Sequence, residues 1–427
     1  MTEILMEPER ALDEDAIEFE HALTNDEKLG EAWAAVGRLQ DATWDGQAHT
    51  SRMVAVENSR AAESAPPEDK VLLVVEGEDP ESKEVRQMPI RVLRGAHKQL
   101  ADKTGIPWKY YERMLGGEPE LAATNLTTWF RSEPSVRLLR MLRPMNAADG
   151  VKVREYGTPL ALRAFLGASY RCINHSAVLE QVIPAAARHG ATMREWHLGP
   201  ERFDFRMTQP ERTAVEVAEA VRERFPDINP HQMGYLEPLS NGVAFRNSET
   251  GHGAAVIYHL MEWLRCLNLM TSVEERVIHI GGRRSEEDGR WLKADTKRLD
   301  DAATLLRFRD KTEELLDPAN VALWGQRVIE AAGEEVPVNV PAFEFIEGVG
   351  GKFDLTETEI EVLKEEFTAE ATLTGNRNRL TVAQAMTATA KRLAEGNGAA
   401  PMPFARKADL EGFGFRILSE PLEGLLG

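Results

Sequence analysis

Cysteine is almost missing from this chain, with two in 427 residues. That excludes a disulfide framework and any zinc site built on four thiolates. Long apolar runs are missing too. No stretch reaches the ~18 consecutive apolar residues that a membrane helix needs, so no membrane partner is expected. Aromatic residues are scarce at 7%. Basic residues are in deficit, 51 against 70 acidic ones, for a formal charge of -19. That balance argues against a histone-like or generally polybasic protein. The first residues, MTEILMEPERALDEDAIEFE, are acidic from the third position, where a secretory leader needs a basic start and an apolar run. A cytoplasmic protein, in a bacterial host cell, is expected. The standard nucleotide, hydrolase and zinc motifs are also absent. There is no G-x-x-x-x-G-K-[ST], no G-x-G-x-x-G after a strand, no G-x-S-x-G and no H-E-x-x-H. GVGGKF (348–353) is glycine-rich but lacks the spacing of a phosphate loop and reads as a flexible turn.

What is present is enough apolar residue, 42%, for a sizeable core. Its period changes along the chain, and four regions are expected. Residues 1–70 hold 17 acids and 6 bases and read as an acidic, partly disordered N-terminal arm. Within it, LGEAWAAVGRL (29–39) suits a short amphipathic helix with Trp33 and Val36 on one face. Residues 71–130 read as a small α/β subdomain. VLLVVEG (71–77) and MPIRVLR (88–94) are strands, followed by helices over 96–104 and from Pro107 to Gly116-Gly117. Residues 131–300 read as an α+β core. Strands are predicted at 136–142 and 276–282, a helix over 176–188, and a hairpin over 191–208 turning at Gly199-Pro200. A helix is predicted over 210–225. A second hairpin turns through NSETG (247–251), after which the pattern fits either strand or helix; 160–166 is equally ambiguous. Residues 301–427 read as helical, with helices over 293–316, 321–332, 356–372 and 381–395. Thr356 and Glu359 have capping-box spacing. Residues 336–345 read as extended and the tail beyond Gly396 as irregular. The fold class predicted is α+β: a mixed antiparallel-sheet core with hairpins and packed helices, a mostly helical C-terminal third and an acidic arm.

Chemistry-bearing residues are few. Cys172 and His175 have C-x-x-H spacing, with His252, His259 and Cys266 later. Neither half has a paired C-x-x-C, so a buried structural cysteine is the commoner reading and neither metal nor cofactor is expected. Glu249 and His252, close across the NSETG turn, are the best acid/base pair, with His175 a further member. Their bland alternative is a hairpin turn whose polar groups satisfy the backbone.

The most informative feature is basic. Residues 131–171 carry eight bases and three acids in a strongly acidic chain. The bases are Arg131, Arg137, Arg140, Arg143, Lys152, Arg154, Arg163 and Arg171. A guanidinium fork suits phosphate, and Tyr170, Trp129, Phe130 and Tyr156 lie among or beside these cations. Cations interleaved with aromatics suit single-stranded nucleic acid, because bases stack while phosphates pair. The competing reading is that these arginines pair with carboxylates of the same chain. In a strand at 136–142, Arg137 and Arg140 face opposite sides, so one groove cannot hold them all.

Four stretches resemble a known family. They are GIPWKYYERML (105–115) with LAATNLTTWF (121–130), GTPLALRAFLGASYRCINHSAVLEQVIPAA (157–186), FRNSETGHGAAVIYHLMEWLRCLNLM (245–270) and RLTVAQAMTATAKRLAE (379–395). In this order they resemble the phage- and plasmid-encoded proteins grouped as domain-of-unknown-function family 932. Arg171, Cys266, Asn268 and Asn247-Ser248-Glu249 stand as in the family. Asn174-His175 stands where the family shows Asp-Asn, Leu269 replaces a glycine, and Gln384 replaces an asparagine. The resemblance implies a mobile-element setting and singles out Asn174, Asn247, Ser248, Glu249 and Asn268 as motif polar residues. It supplies no reaction. The order of hairpins and helices is also similar to that of single-strand-annealing recombination proteins, an analogy at the level of fold.

The function expected is single-stranded DNA binding or annealing in recombination or replication, without catalytic chemistry. Arg131, Arg137, Arg140, Arg143, Lys152, Arg154, Arg163, Tyr170 and Arg171 would be its contacts, and the protein a possible homo-oligomer. The alternatives are a hydrolase using Glu249 and His252, or an acidic protein that engages a host partner through residues 1–70.

Overall fold

The computed structural model describes residues 26–78, 85–144, 158–209, 239–263, 268–277, 294–337, 339–396 and 402–424, with scattered positions over 19–25 and 215–227. The fold is α+β. Two sheets, each with helices on it, are followed by a helical C-terminal region. The first described helix, α1 (Glu27–Ala42), precedes both sheets.

The first sheet is built from β1 (Thr43–His49), β2 (Met53–Glu57), β3 (Val71–Glu78), β4 (Val85–Val92), β5 (Val136–Leu142) and β6 (Leu160–Gly167). Its spatial order is β1-β5-β6-β4-β3-β2. All pairs are antiparallel except β4 with β6, which is parallel. The parallel pair needs a long crossover. That crossover carries α2 (Arg94–Lys103), α3 (Trp108–Gly117) and α4 (Pro119–Ser132). Apolar residues of the strands, among them Leu73, Val75, Ile90, Leu139 and Met141, meet Leu100, Tyr111, Met114, Leu126 and Phe130 of these helices in one core.

The second sheet is an antiparallel meander, β7 (Thr192–Leu198), β8 (Phe203–Thr208), β9 (Leu239–Asn247), β10 (Ala255–Trp263) and β11 (Asn268–Val277). Phe203, Phe205, Val243, Phe245 and Ile257 point to one side. There they pack on α1, α5 (His175–Arg188) and α6 (Ala294–Leu316) through Leu29, Val36, Val178, Val182, Phe308 and Leu315. The C-terminal helices are α7 (Pro318–Gly333), α8 (Ala342–Lys352), α9 (Glu357–Thr374), α10 (Arg379–Glu395) and α11 (Phe404–Ser419); α10 and α11 pack on β11, and α7 and α9 pack on α10.

Several expectations change. Residues 43–57, placed by composition in a partly disordered arm, form two strands of the first sheet. Their composition hides this, because edge strands here show only partial burial. The segment at 160–166 is strand, and the run after NSETG is strand, not helix. GVGGKF is not a turn: it lies largely in the last part of α8. A Cβ on Gly350 would stand 2.6 Å from Ile360, so the glycine serves a close approach to α9. The extended reading of 336–345 fails from Ala342 onward, where α8 begins behind Pro341. The tail is not irregular either. Phe404–Ser419 is a helix, and a Cβ on Gly414 would stand 2.5 Å from Thr387 of α10. Glycine is poor in isolated helices, but tight helix packing outweighs that local preference. The capping box at Thr356 and Glu359 is formed. Most of the helix predicted over 210–225, and the strand over 278–282, lie outside the described residues.

Candidate nucleic-acid interface

The predicted arginines do not share one surface. Arg140 of β5 and Arg163 of β6 lie on the inner side of the first sheet, 3% exposed each, and point at the turn after β9. There Glu249 receives them both, with Arg163 Nη1 at 2.7 Å and Arg140 Nη2 at 3.3 Å from the same carboxylate oxygen. The other oxygen accepts the His175 backbone N–H at 2.7 Å, at the start of α5. A carboxylate there meets the positive end of the helix. Arg140 also donates to Asp45 of β1 at 2.9 Å and to Asn174 at 2.9 Å. Burial works to raise the Glu249 pKa, but His175, Arg163 and Arg140 together hold it down at about 2. This node ties β1, β5, β6 and α5 to the β9–β10 turn.

The rest of NSETG is equally committed. Asn247 donates to the Ile173 carbonyl at 2.8 Å and lies 3.0 Å from His175 Nδ1. Ser248 Oγ donates to the Glu201 carbonyl at 2.7 Å. His252 Nε2 donates to the Gly95 carbonyl at 3.2 Å, with Thr250 Oγ1 2.9 Å from its Nδ1. Burial lowers the His252 pKa. Glu249 and His252 therefore share a turn but have separate partners. A carboxylate held at about 2 is a weak proton acceptor at neutral pH. Cys172 is half-buried beside them and its thiol is pushed up to about 11, mainly by desolvation.

The other predicted residues scatter. Arg171 reaches Asp300 at 2.6 Å and also Asp301, both on α6. Tyr170 sits over the Gly251 turn, and burial raises its pKa. Arg137 faces the side opposite Arg140, as the strand period requires, with its guanidinium 5.8 Å from the Phe165 ring. Arg131 and Arg143 are exposed. Lys152 and Arg154 lie outside the described residues, and so does the Asn268 side chain.

The exposed combination of cations and rings occurs earlier in the chain, on α2 and α3. Gly105 and Pro107 separate the two helices. Behind them, buried His97 Nε2 donates to the Glu68 carbonyl at 3.0 Å, which leaves Nδ1 to accept the Tyr111 hydroxyl at 2.8 Å. Burial keeps this imidazole neutral, with its pKa lowered to about 4. The pair fixes α2 against α3. In front, Arg94 and Lys98, one turn apart, lie 5.6 and 6.0 Å from the centre of the Trp108 ring. Tyr110 is 53% exposed beside Lys109 and Arg113. Among the described residues, no ion pair engages Lys109 or Arg113, whereas Arg94 meets Glu112 and Lys98 lies 3.8 Å from Glu201. At the far end of α2, Lys103 and Trp129 line a small recess with Arg137.

Sequence reasoning passed over this face. Its signal was available, because residues 91–113 hold six basic and two acidic residues. The subdomain sum over 71–130, nearly neutral, concealed it.

No family model, no curated protein and no solved structure matches this chain. No helix among the described residues is long and apolar enough to cross a membrane.

Proposed function

We propose that this protein binds single-stranded nucleic acid along the exposed face of α2 and α3. The observation that carries this reading is Trp108 with Arg94 and Lys98 within 6.0 Å of its ring, next to exposed Tyr110, Lys109 and Arg113. Rings offer every base a stacking surface, and the cations pair with phosphates irrespective of sequence. The cation–ring contacts keep the guanidinium oriented over the indole. The ligand class is the one expected from sequence, with the contacts reassigned. Arg140, Arg163 and Arg171 hold the fold together, while Arg137 at the end of α2 remains near the track. A role in recombination or replication of a mobile element is the setting we infer, consistent with the resemblance to family 932.

The test is fluorescence anisotropy with a labelled oligothymidylate across a salt series. Four phosphate contacts predict a log–log salt slope of about -3. Lys109→Glu with Arg113→Glu should weaken binding at least about tenfold and flatten that slope. Tyr110→Ala should cost about 1–3 kcal/mol of binding if a base stacks there. Binding unaltered in both variants would refute this interface.

A further inference from the structure

On the far side of the second sheet, away from α2 and α3, a cleft of about 570 Å³ opens between β8–β10 and helices α7 and α11. Small residues are among those that line it, Ala244 on the sheet and Ala408 and Gly412 on α11. Its walls combine aromatic rings with guanidinium groups. Arg327 lies 3.9 Å from the centre of the Trp324 ring. Arg246 stands 5.8 Å from the Tyr258 ring, and Arg416 borders the cleft at the α11 end. Arg206 is different. It is spent on Glu195 and Glu411, a buried linkage that pins α11 to the sheet. Arg246 Nε is held by Asp204 at 2.6 Å, which orients the guanidinium. Arg327 is exposed, and no carboxylate pairs with it among the described residues.

We propose that this cleft binds a nucleotide, a planar aromatic ring joined to a phosphate. The volume falls within the ~300–1,000 Å³ of small-ligand sites, enough for one nucleotide. Tyr258 offers a ring face for stacking, while the Trp324 ring, packed against Arg327, His259 and Phe415, forms the aromatic wall beside it. Arg327 at the mouth offers a planar donor fork for the phosphate, with Arg416, whose Nε pairs with Glu420 at 3.3 Å, as a second exposed cation of the lining. A cationic ligand would meet four arginines against two aspartates in the lining. A purely apolar one would leave the Arg327 guanidinium without an anionic partner. The site is separate from the α2–α3 face, and the inference stands without it.

The experiment is equilibrium dialysis of the full chain against AMP, GMP, CMP and UMP in turn. Saturable binding with a Kd below about 1 mM is expected for at least one of them. Ribose 5-phosphate, which keeps the anion and lacks the ring, should bind at least about tenfold more weakly. Arg327→Ala removes a phosphate fork, and Ala408→Leu fills the cleft without changing charge. Each should weaken binding about tenfold or more, with the circular dichroism spectrum unchanged. Lys109→Glu with Arg113→Glu should leave it intact, so this proposal and the single-strand reading fail separately. Competition with an oligothymidylate assigns the source: displacement means the cleft takes a nucleotide unit of a chain, and no displacement means a free nucleotide. Absence of saturable binding by all four nucleotides, or binding indifferent to both cleft variants, would overturn the proposal.

Discussion

Two sets of basic side chains on the first sheet and its helices have opposite fates. Arg140 and Arg163 point inward and close on Glu249, which is 109 and 86 residues away in sequence. Lys109 and Arg113 point outward from α3, with no ion pair among the described residues. The residue types are alike, so charge density along the chain does not separate them. What separates them is the face on which each lies and whether a carboxylate reaches it from elsewhere. A buried arginine without that partner carries a large desolvation cost. An exposed lysine keeps its water and stays available to a ligand.

The largest expected effect removes the inward partner. Glu249→Ala leaves the buried Arg163 guanidinium without a carboxylate and Arg140 with only the more exposed Asp45, and should destabilise the fold by about 3–5 kcal/mol. Urea denaturation measures this, and the outward pair Lys109→Glu with Arg113→Glu should stay within ~0.5 kcal/mol in the same assay. Comparable losses at the two places would erase the distinction.

Acid should act on the inward set next. The folded pKa of Glu249 is about 2 against an ordinary 4.5, so the unfolded chain takes up the proton first. Its contribution, ~3 kcal/mol, is complete above pH ~4.5 and is lost as pH falls toward 2. His97 and His259 act in the same direction at higher pH. Burial lowers them to about 4 and about 3 from 6.5, so stability begins to fall below pH 6.5. The gap between wild type and Glu249→Gln in thermal melts should narrow to about half or less between pH 7 and pH 3. A constant gap would show that the Glu249 charge is not the cause.

A smaller effect sharpens the outward set. Tyr111→Phe removes the hydroxyl that satisfies His97 Nδ1 and should cost about 1–2 kcal/mol of stability. Binding at the α2–α3 face should weaken with it, because the two helices lose their fixed relation. The smallest change is Asp45→Asn. Asp45 is the more exposed partner of Arg140, which keeps Glu249 and Asn174. A loss under about 1 kcal/mol is expected by denaturant titration.

Much of the fold was legible where local rules carry it. The helix around Trp33, the β7–β8 hairpin at Gly199-Pro200, the α5 face and the Thr356 cap all follow from period and turn chemistry. The misreadings have one physical origin. Gly350 and Gly414 look like helix breakers until a neighbouring helix stands where a side chain would be. Residues 43–57 look like a solvated arm until β5 and β3 supply the partners for their backbone groups. The site was half legible. NSETG was recognisable as a turn, but nothing local showed that its glutamate neutralises two arginines.

The sequence by itself determined the α+β class, most element positions and the cations available. Those follow from side-chain period, capping and composition, which act over a few residues. Tertiary structure alone decided which cations are spent and which remain. Ion pairing depends on through-space distance and burial, and both are set by contacts between residues far apart in the chain.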